Sequence, residues 1–115
     1  MTDSAWQQWE REVNDLLGLR CTPASGARWH NIGDGADNDR DSVFALIVDC
    51  KFTEKGSFSL KEKDLRQWCQ RAAELGKRFA MPVRFRRGGV CADYIVLEFN
   101  DFAELLQMVK DRGVH

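Results

Sequence analysis

The stretch Val43-Phe44-Ala45-Leu46-Ile47-Val48-Asp49-Cys50-Lys51 decides how the rest of the chain is read. Six apolar residues in succession, closed by Asp-Cys-Lys, predict a strand buried on both faces that ends in charge. Side chains alternate along a strand, so Asp49 and Lys51 share one face while Cys50 takes the other. An acid and a lysine side by side, at the end of a strand that otherwise excludes water, require a reason. Upstream, Asp34, Asp37, Asp39 and Asp41 crowd a Gly/Asn-rich turn over residues 33–41.

Residues 4–17 predict a helix. Trp6, Trp9, Val13, Leu16 and Leu17 fall on one stripe, Ser4 or Asp3 can cap the start, and Gly18 closes it. Glu10 and Glu12 lie on opposite borders of that stripe. Residues 19–28 are a connection broken by Pro23 and Gly26, and Trp29 to Ile32 form a short strand before the acidic turn. Beyond the central strand, residues 52–58 read as a loop.

Ser59-Leu60-Lys61-Glu62 has the capping-box pattern and opens a helix to about Leu75, with Leu65, Trp68, Cys69, Ala72 and Ala73 inward and Gly76 at its end. Residues 79–86 predict a strand in which Pro82 points to an edge or a strand start. Gly88-Gly89 makes a turn, residues 93–99 a further strand, and residues 101–112 a closing helix with Phe102, Leu105, Leu106 and Val109 inward. The order predicts an α/β fold, a central mixed sheet flanked by helices, in one domain spanning residues 1–115.

Composition sets the bounds. At 115 residues the chain can bury about two-thirds of its unfolded surface. No apolar run reaches the length of a membrane span and no signal-peptide core opens the sequence, which predicts a cytoplasmic protein without membrane partners. Cys21, Cys50, Cys69 and Cys91 are well separated and lack metal-thiolate spacing, so buried free thiols are expected. The net charge of −1 hides an uneven distribution: residues 51–87 carry eleven bases and four acids, whereas residues 1–50 carry nine acids and four bases. A basic middle beside an acidic turn suits a phosphate-binding surface next to a cation site.

Phosphodiester cleavage needs an activated water and a counter-charge for the developing anion. Mg²⁺ takes a few carboxylate oxygens and keeps several waters, so Asp49, one turn acid and Lys51 would suffice. A turn carboxylate followed by a buried strand ending D-x-K is the layout of a metal-dependent nuclease site. A calcium loop at Asp37, Asp39 and Asp41 fails, because Ser42 stands where Gly is needed and Val48 where a bidentate Glu belongs. His30 and Ser25 find no orienting acid for a triad. Helical spacing favours core packing for Trp6, Trp9 and Trp68, and leaves only Trp29 open to base stacking.

Glu10-Arg11-Glu12-Val13, then Pro23-Ala24-Ser25-Gly26, then Gly33-Asp34, then the strand into Asp49-Cys50-Lys51, resembles the PD-(D/E)xK nuclease superfamily. The order and spacing are similar to those of archaeal and phage-type Holliday junction resolvases, from about residue 9 to residue 86. The resemblance implies a restriction-endonuclease-like core. It also implies Glu10 as the helix glutamate, with Glu12 as its rival, and Asp34 as the turn ligand, with Asp37, Asp39 and Asp41 competing. Asp49 and Lys51 become the (D/E)xK pair, and Cys50 offers its backbone carbonyl to Mg²⁺, or to Mn²⁺ in its place. Ser25, Arg28, Lys55, Lys61, Lys63 and Arg66 are the expected DNA contacts. A small endonuclease acting on branched or junction DNA as a homodimer follows. The alternatives are a nicking or recombination endonuclease with another DNA substrate, and a catalytically silent DNA-binding module.

Overall fold

A computed structural model describes residues 4–21, 35–36 and 44–113. In chain order the elements are α1 (Ala5–Leu17), β1 (Arg20–Cys21), β2 (Gly35–Ala36), β3 (Leu46–Val48), β4 (Lys51–Thr53), α2 (Glu62–Glu74), β5 (Arg78–Arg87), β6 (Val90–Leu97) and α3 (Phe99–Gly113). The expected mixed sheet flanked by helices is present. β1, β2 and β3 pair antiparallel in succession, β3 and β4 both pair parallel with β5, and β6 closes the far side antiparallel to β5. The expected strand at Trp29 to Ile32, the turn acids Asp34, Asp37, Asp39 and Asp41, and Ser25 and Arg28 lie outside the described residues.

The strand expected over residues 43–51 is interrupted. Val48 pairs with Ala80 and Lys51 with Val83, the same offset in both segments, so β3 and β4 are one line of chain with a gap at Asp49-Cys50. Pro82 explains the gap. The Asp49 N–H donates to the Ala80 carbonyl at 3.2 Å. In a parallel ladder of that phase, the Asp49 carbonyl would accept from the N–H of residue 82. Proline has no such hydrogen, so the ladder opens there. The expectation that Pro82 marks an edge or a strand start is thereby corrected: it sits buried in the middle of β5, flanked by strands on both sides.

α1 begins and ends as its sequence dictates. Ser4 and Gln7 form a reciprocal capping box, and Gly18 closes the helix at φ 68°. α2 departs from expectation at its start. Lys61, extended and without a side-chain cap, is the N-cap residue, so the Ser59 capping box does not form. Glu62 and Asp64 in the first turn complement the helix dipole instead, and Ser59 and Leu60 are left to the loop. Strand β6 ends at Leu97, two residues short of expectation, because Glu98 caps α3: its carboxylate accepts from the Asp101 N–H at 2.9 Å.

Two cores lie on the two sheet faces. Ile47, Phe79, Met81 and Val83 bury against Ala72 of α2, with Trp68 stacked on Phe79 at 5.1 Å between centroids. Val48 and Ala80 bury against Trp9 and Val13 of α1 on the other face. Several residues expected inward are not. Trp6 is 51% exposed, and Phe102, Leu106 and Val109 of α3 are 48%, 41% and 58% exposed. α3 is turned because Asp101 and Glu104 both pair with Arg78 at the start of β5, which brings Asp101, Leu105 and Met108 to its half-buried side. Cys50 and Cys69 are half-buried thiols, while Cys91, on β6, is exposed rather than buried. Among the described residues no helix is long and apolar enough to cross a membrane.

Candidate functional site

Strand alternation sorts the D-x-K residues as their sequence requires. Leu46, Cys50 and Phe52 pack toward α1, whereas Asp49 and Lys51 open on the α2 face into a cleft of about 430 Å³. Lys51 Nζ lies 2.9 Å from Asp49 Oδ2, with the lysine side chain 41% and the aspartate side chain 15% exposed. The Asp49 carboxylate is thus drawn back into the wall while the ammonium reaches toward solvent.

The opposite wall is one face of α2, from its N-cap to its last turn, and the loop before it. Lys61, Asp64, Gln67, Trp68 and Arg71 recur at three- and four-residue intervals, which places them on one helix face. Trp68 and Met81 form the apolar floor. Among the described residues the cleft carries three cations, Lys51, Lys61 and Arg71, against two carboxylates, Asp49 and Asp64. A low, partly apolar floor under a net positive rim strengthens charge-assisted hydrogen bonds to an anion.

The DNA-contact residues expected from the sequence separate on the structure. Lys61 lines the cleft. Arg66 turns to the other flank of α2, where it pairs with Glu62 at 3.4 Å beside a second groove. Lys63 is exposed on α2, and Lys55 is exposed in the β4–α2 loop with its N–H on the Thr53 hydroxyl. Asp64, Gln67 and Arg71 were not expected. Their i, i+3, i+7 spacing is visible in the sequence, but their relevance depends on where α2 docks.

Glu10 and Glu12 sit on α1, which packs on the face opposite the Asp49 and Lys51 side chains, and neither lines the cleft. Glu12 has another partner. The Arg84 guanidinium holds Glu12 at 2.9 and 3.1 Å and Asp93 at 2.7 and 2.9 Å, while lying 4.3 Å from the Trp9 ring centroid. The bonds to Arg84 draw the Glu12 and Asp93 carboxyls below their ordinary range, against the opposing cost of burial.

The donors facing the cleft are hard oxygens, from Asp49 and Asp64, and the Cys50 thiol is on the far face. Such a set suits Mg²⁺ or Mn²⁺ rather than a thiophilic metal. Among the described residues no group of three or more His, Cys, Asp or Glu side chains is placed to hold a metal ion. No known family model matches the chain, no curated protein matches its sequence, and no solved structure matches its fold.

Proposed function

We propose that the chain is a metal-dependent endodeoxyribonuclease of the PD-(D/E)xK type that acts on branched DNA. The observation that carries the reading is the Asp49–Lys51 pair at the ladder gap, facing a cleft with a net positive rim. The element order supports it: a helix bearing Glu10, a hairpin strand, the D-x-K strand, a helix and a parallel strand follow one another as the resemblance implies. Gly35, which follows Asp34 in the chain, pairs with Val48, which precedes Asp49.

In this reading a phosphodiester enters the cleft with its non-bridging oxygens toward Lys61 and Arg71. Lys51 orients the attacking water and offsets charge as the phosphorus–oxygen bond to the leaving group breaks. Asp49 and Asp64, with Asp34 as the resemblance implies, and the backbone carbonyl of Cys50, would hold Mg²⁺, whereas Glu10, the helix glutamate of the resemblance, stands on the opposite sheet face and does not line the cleft. That ion, when bound, supplies the activated water and neutralises the developing anion. Resolution of a four-way junction needs two symmetric cuts, which calls for a C2 homodimer. A DNA substrate agrees with the cytoplasmic location expected from the sequence.

A second reading, a DNA-binding module without chemistry, is favoured by one observation: the Lys51 ammonium already has a carboxylate partner in Asp49. Cleavage of duplex, flap and four-way-junction DNA, with Mg²⁺ and with EDTA, separates the two. The nuclease reading expects metal-dependent cutting that Lys51→Ala abolishes while DNA affinity stays within about threefold. Metal-independent binding with no product from any substrate overturns it.

A further inference from the structure

The sheet face that carries Lys51 continues beyond α2 into a second, shallower hollow. Gly56, Phe85, Arg87, Ala92 and Tyr94 line about 370 Å³ there. The register fixes its position relative to the cleft. Lys51 pairs with Val83, and Val83 pairs with Tyr94, so the three stand in one row across the sheet. Directly paired residues share a face, and two strand spacings put the Tyr94 Cα about 10 Å from that of Lys51.

Three features fit this hollow to a flat ring with a phosphate beside it. Tyr94 is 62% exposed although it stands in a sheet. Phe85 meets it nearly edge-on, with centroids 6.0 Å apart and an interplanar angle of 75°. A T-shaped contact engages at most one face of the tyrosine, unlike the closed stack of Trp68 on Phe79, whose planes differ by 8°. The third feature is charge. Arg78, Arg84 and Arg86 of β5 are each paired with carboxylates, but among the described residues Arg87 has no such partner. Its guanidinium lies against the β4–α2 loop, in the space that any side chain at Gly56 would fill. Ala92, opposite Phe85 in the ladder, keeps the floor low between them.

We propose that this hollow is a stacking subsite for one unpaired nucleobase of the DNA strand held in the cleft, with Tyr94 under the base and Arg87 on a neighbouring phosphate. The inference rests on the reading of the cleft as a DNA site and names the substrate feature recognised. In a continuous duplex each base face is covered by its stacked neighbours, whereas a base freed at a branch point offers a π-face to a side chain. The subsite therefore selects DNA with a splayed or unpaired step over continuous duplex. A guanidinium beside the ring adds a backbone contact that is indifferent to sequence.

Tyr94 is the only tyrosine in the chain, which gives the site its own spectroscopic signal. The test measures binding in Ca²⁺ at one salt concentration, using a splayed-arm DNA with 2-aminopurine at the branch and a blunt duplex of equal length. The wild type should prefer the splayed DNA, quench the 2-aminopurine, and shift the ring resonances of labelled Tyr94. Tyr94→Ala should lose about tenfold in affinity for the splayed DNA with little change for duplex, and Tyr94→Phe should retain the wild-type preference. If Tyr94→Ala lowers the Tm, Tyr94→Leu is read in its place, since it keeps apolar area without a π-face. Equal binding of the two DNAs, no binding of either, or an unchanged preference in the Ala or Leu variant overturns the subsite. Cleavage by the same preparation in Mg²⁺ is scored separately. A Tyr94-dependent preference without cutting keeps the subsite and overturns the nuclease, and cutting with an unchanged preference does the reverse.

Discussion

Pro82 withholds from Asp49 the one backbone hydrogen bond that would make β3 and β4 a single strand. The chain is held in register on both sides of the gap, so the gap is a local release of backbone rather than a change of direction. It falls at the residue whose carboxylate faces the cleft. An oxygen freed from a ladder is an acceptor without a ladder partner, and in the proposed nuclease reading it would be open to a cation.

Pro82→Ala restores the missing donor. The new hydrogen bond contributes about 0.5–1.5 kcal/mol, and the freer unfolded chain offsets about 0.4–1 kcal/mol of it. The net change in stability should be small, while the amide of residue 82 becomes protected in hydrogen exchange. A fast-exchanging amide at that position in a folded variant would show that the gap has another cause.

The acids of the cleft rank by position. Asp49→Asn should reduce Mg²⁺-dependent cleavage by at least about a hundredfold, since it removes the carboxylate nearest the Lys51 ammonium. Asp64→Asn, across the cleft, should raise the Mg²⁺ concentration for half-maximal rate by about tenfold. Glu62→Gln is the control, because Glu62 faces Arg66 on the other flank of α2. Asp34→Asn should behave like Asp49→Asn, and a silent Asp34→Asn beside a dead Asp39→Asn or Asp41→Asn would move the turn ligand. Titrating Mg²⁺ against initial rate for each variant reads all of these.

Arg84 gives the fold an acid-sensitive joint. Glu12 and Asp93 titrate lower in the folded protein than in the unfolded chain, so the folded state binds fewer protons. Their contribution is complete above the ordinary carboxylate range and drains away as pH falls through that range toward their lowered folded-state values. Asp101 works in the opposite sense, because burial, with Glu98 beside it, raises its carboxyl. Arg84→Met should cost roughly 1–3 kcal/mol at neutral pH, since the guanidinium is nearly buried and its partners are half exposed. Tm measured from pH 7 to pH 3 should fall less steeply in Arg84→Met than in the wild type. Parallel curves would remove the pair from the acid dependence.

The same triad separates the two α1 glutamates. Glu12→Gln should lower Tm without affecting cleavage once folded, because its carboxylate serves Arg84. Glu10→Gln should affect cleavage if the resemblance assigns the helix glutamate correctly, and comparing rates with Tm for both variants distinguishes the roles.

Hydrophobic periodicity made the central strand, α1 and the alternation of Asp49 and Cys50 legible, because each is a local property of the chain. What escaped depends on tertiary placement. Pro82 reads as an edge signal until the ladder gap beside it is known. The Ser59 cap was overruled by two acids one turn later, and the apolar stripe of α3 yielded to the pairing of Asp101 and Glu104 with Arg78. Asp64, Gln67 and Arg71 look like an ordinary solvated helix face until α2 is docked over the end of the D-x-K strand. Sequence patterns report which face of an element is apolar, and say much less about what its polar face looks at.

That distinction gives a further prediction about the basic segment. Lys61 and Lys63 are two residues apart and equal in charge, yet Lys61 lines the cleft and Lys63 does not. If DNA runs through the cleft, Lys61 neutralises a phosphate and Lys63 acts only through the general field. Each phosphate neutralised on duplex DNA adds about 0.9 to the slope of log affinity against log salt. Lys61→Ala should therefore lower that slope by about 1 and weaken binding to every sequence alike, because backbone contacts carry no base information. Lys63→Ala should leave the slope nearly unchanged, its effect screened within about 10 Å at ordinary salt. Titrations with a duplex in Ca²⁺ at several salt concentrations measure both, and equal slopes for the two variants would mean that the DNA path lies elsewhere on α2.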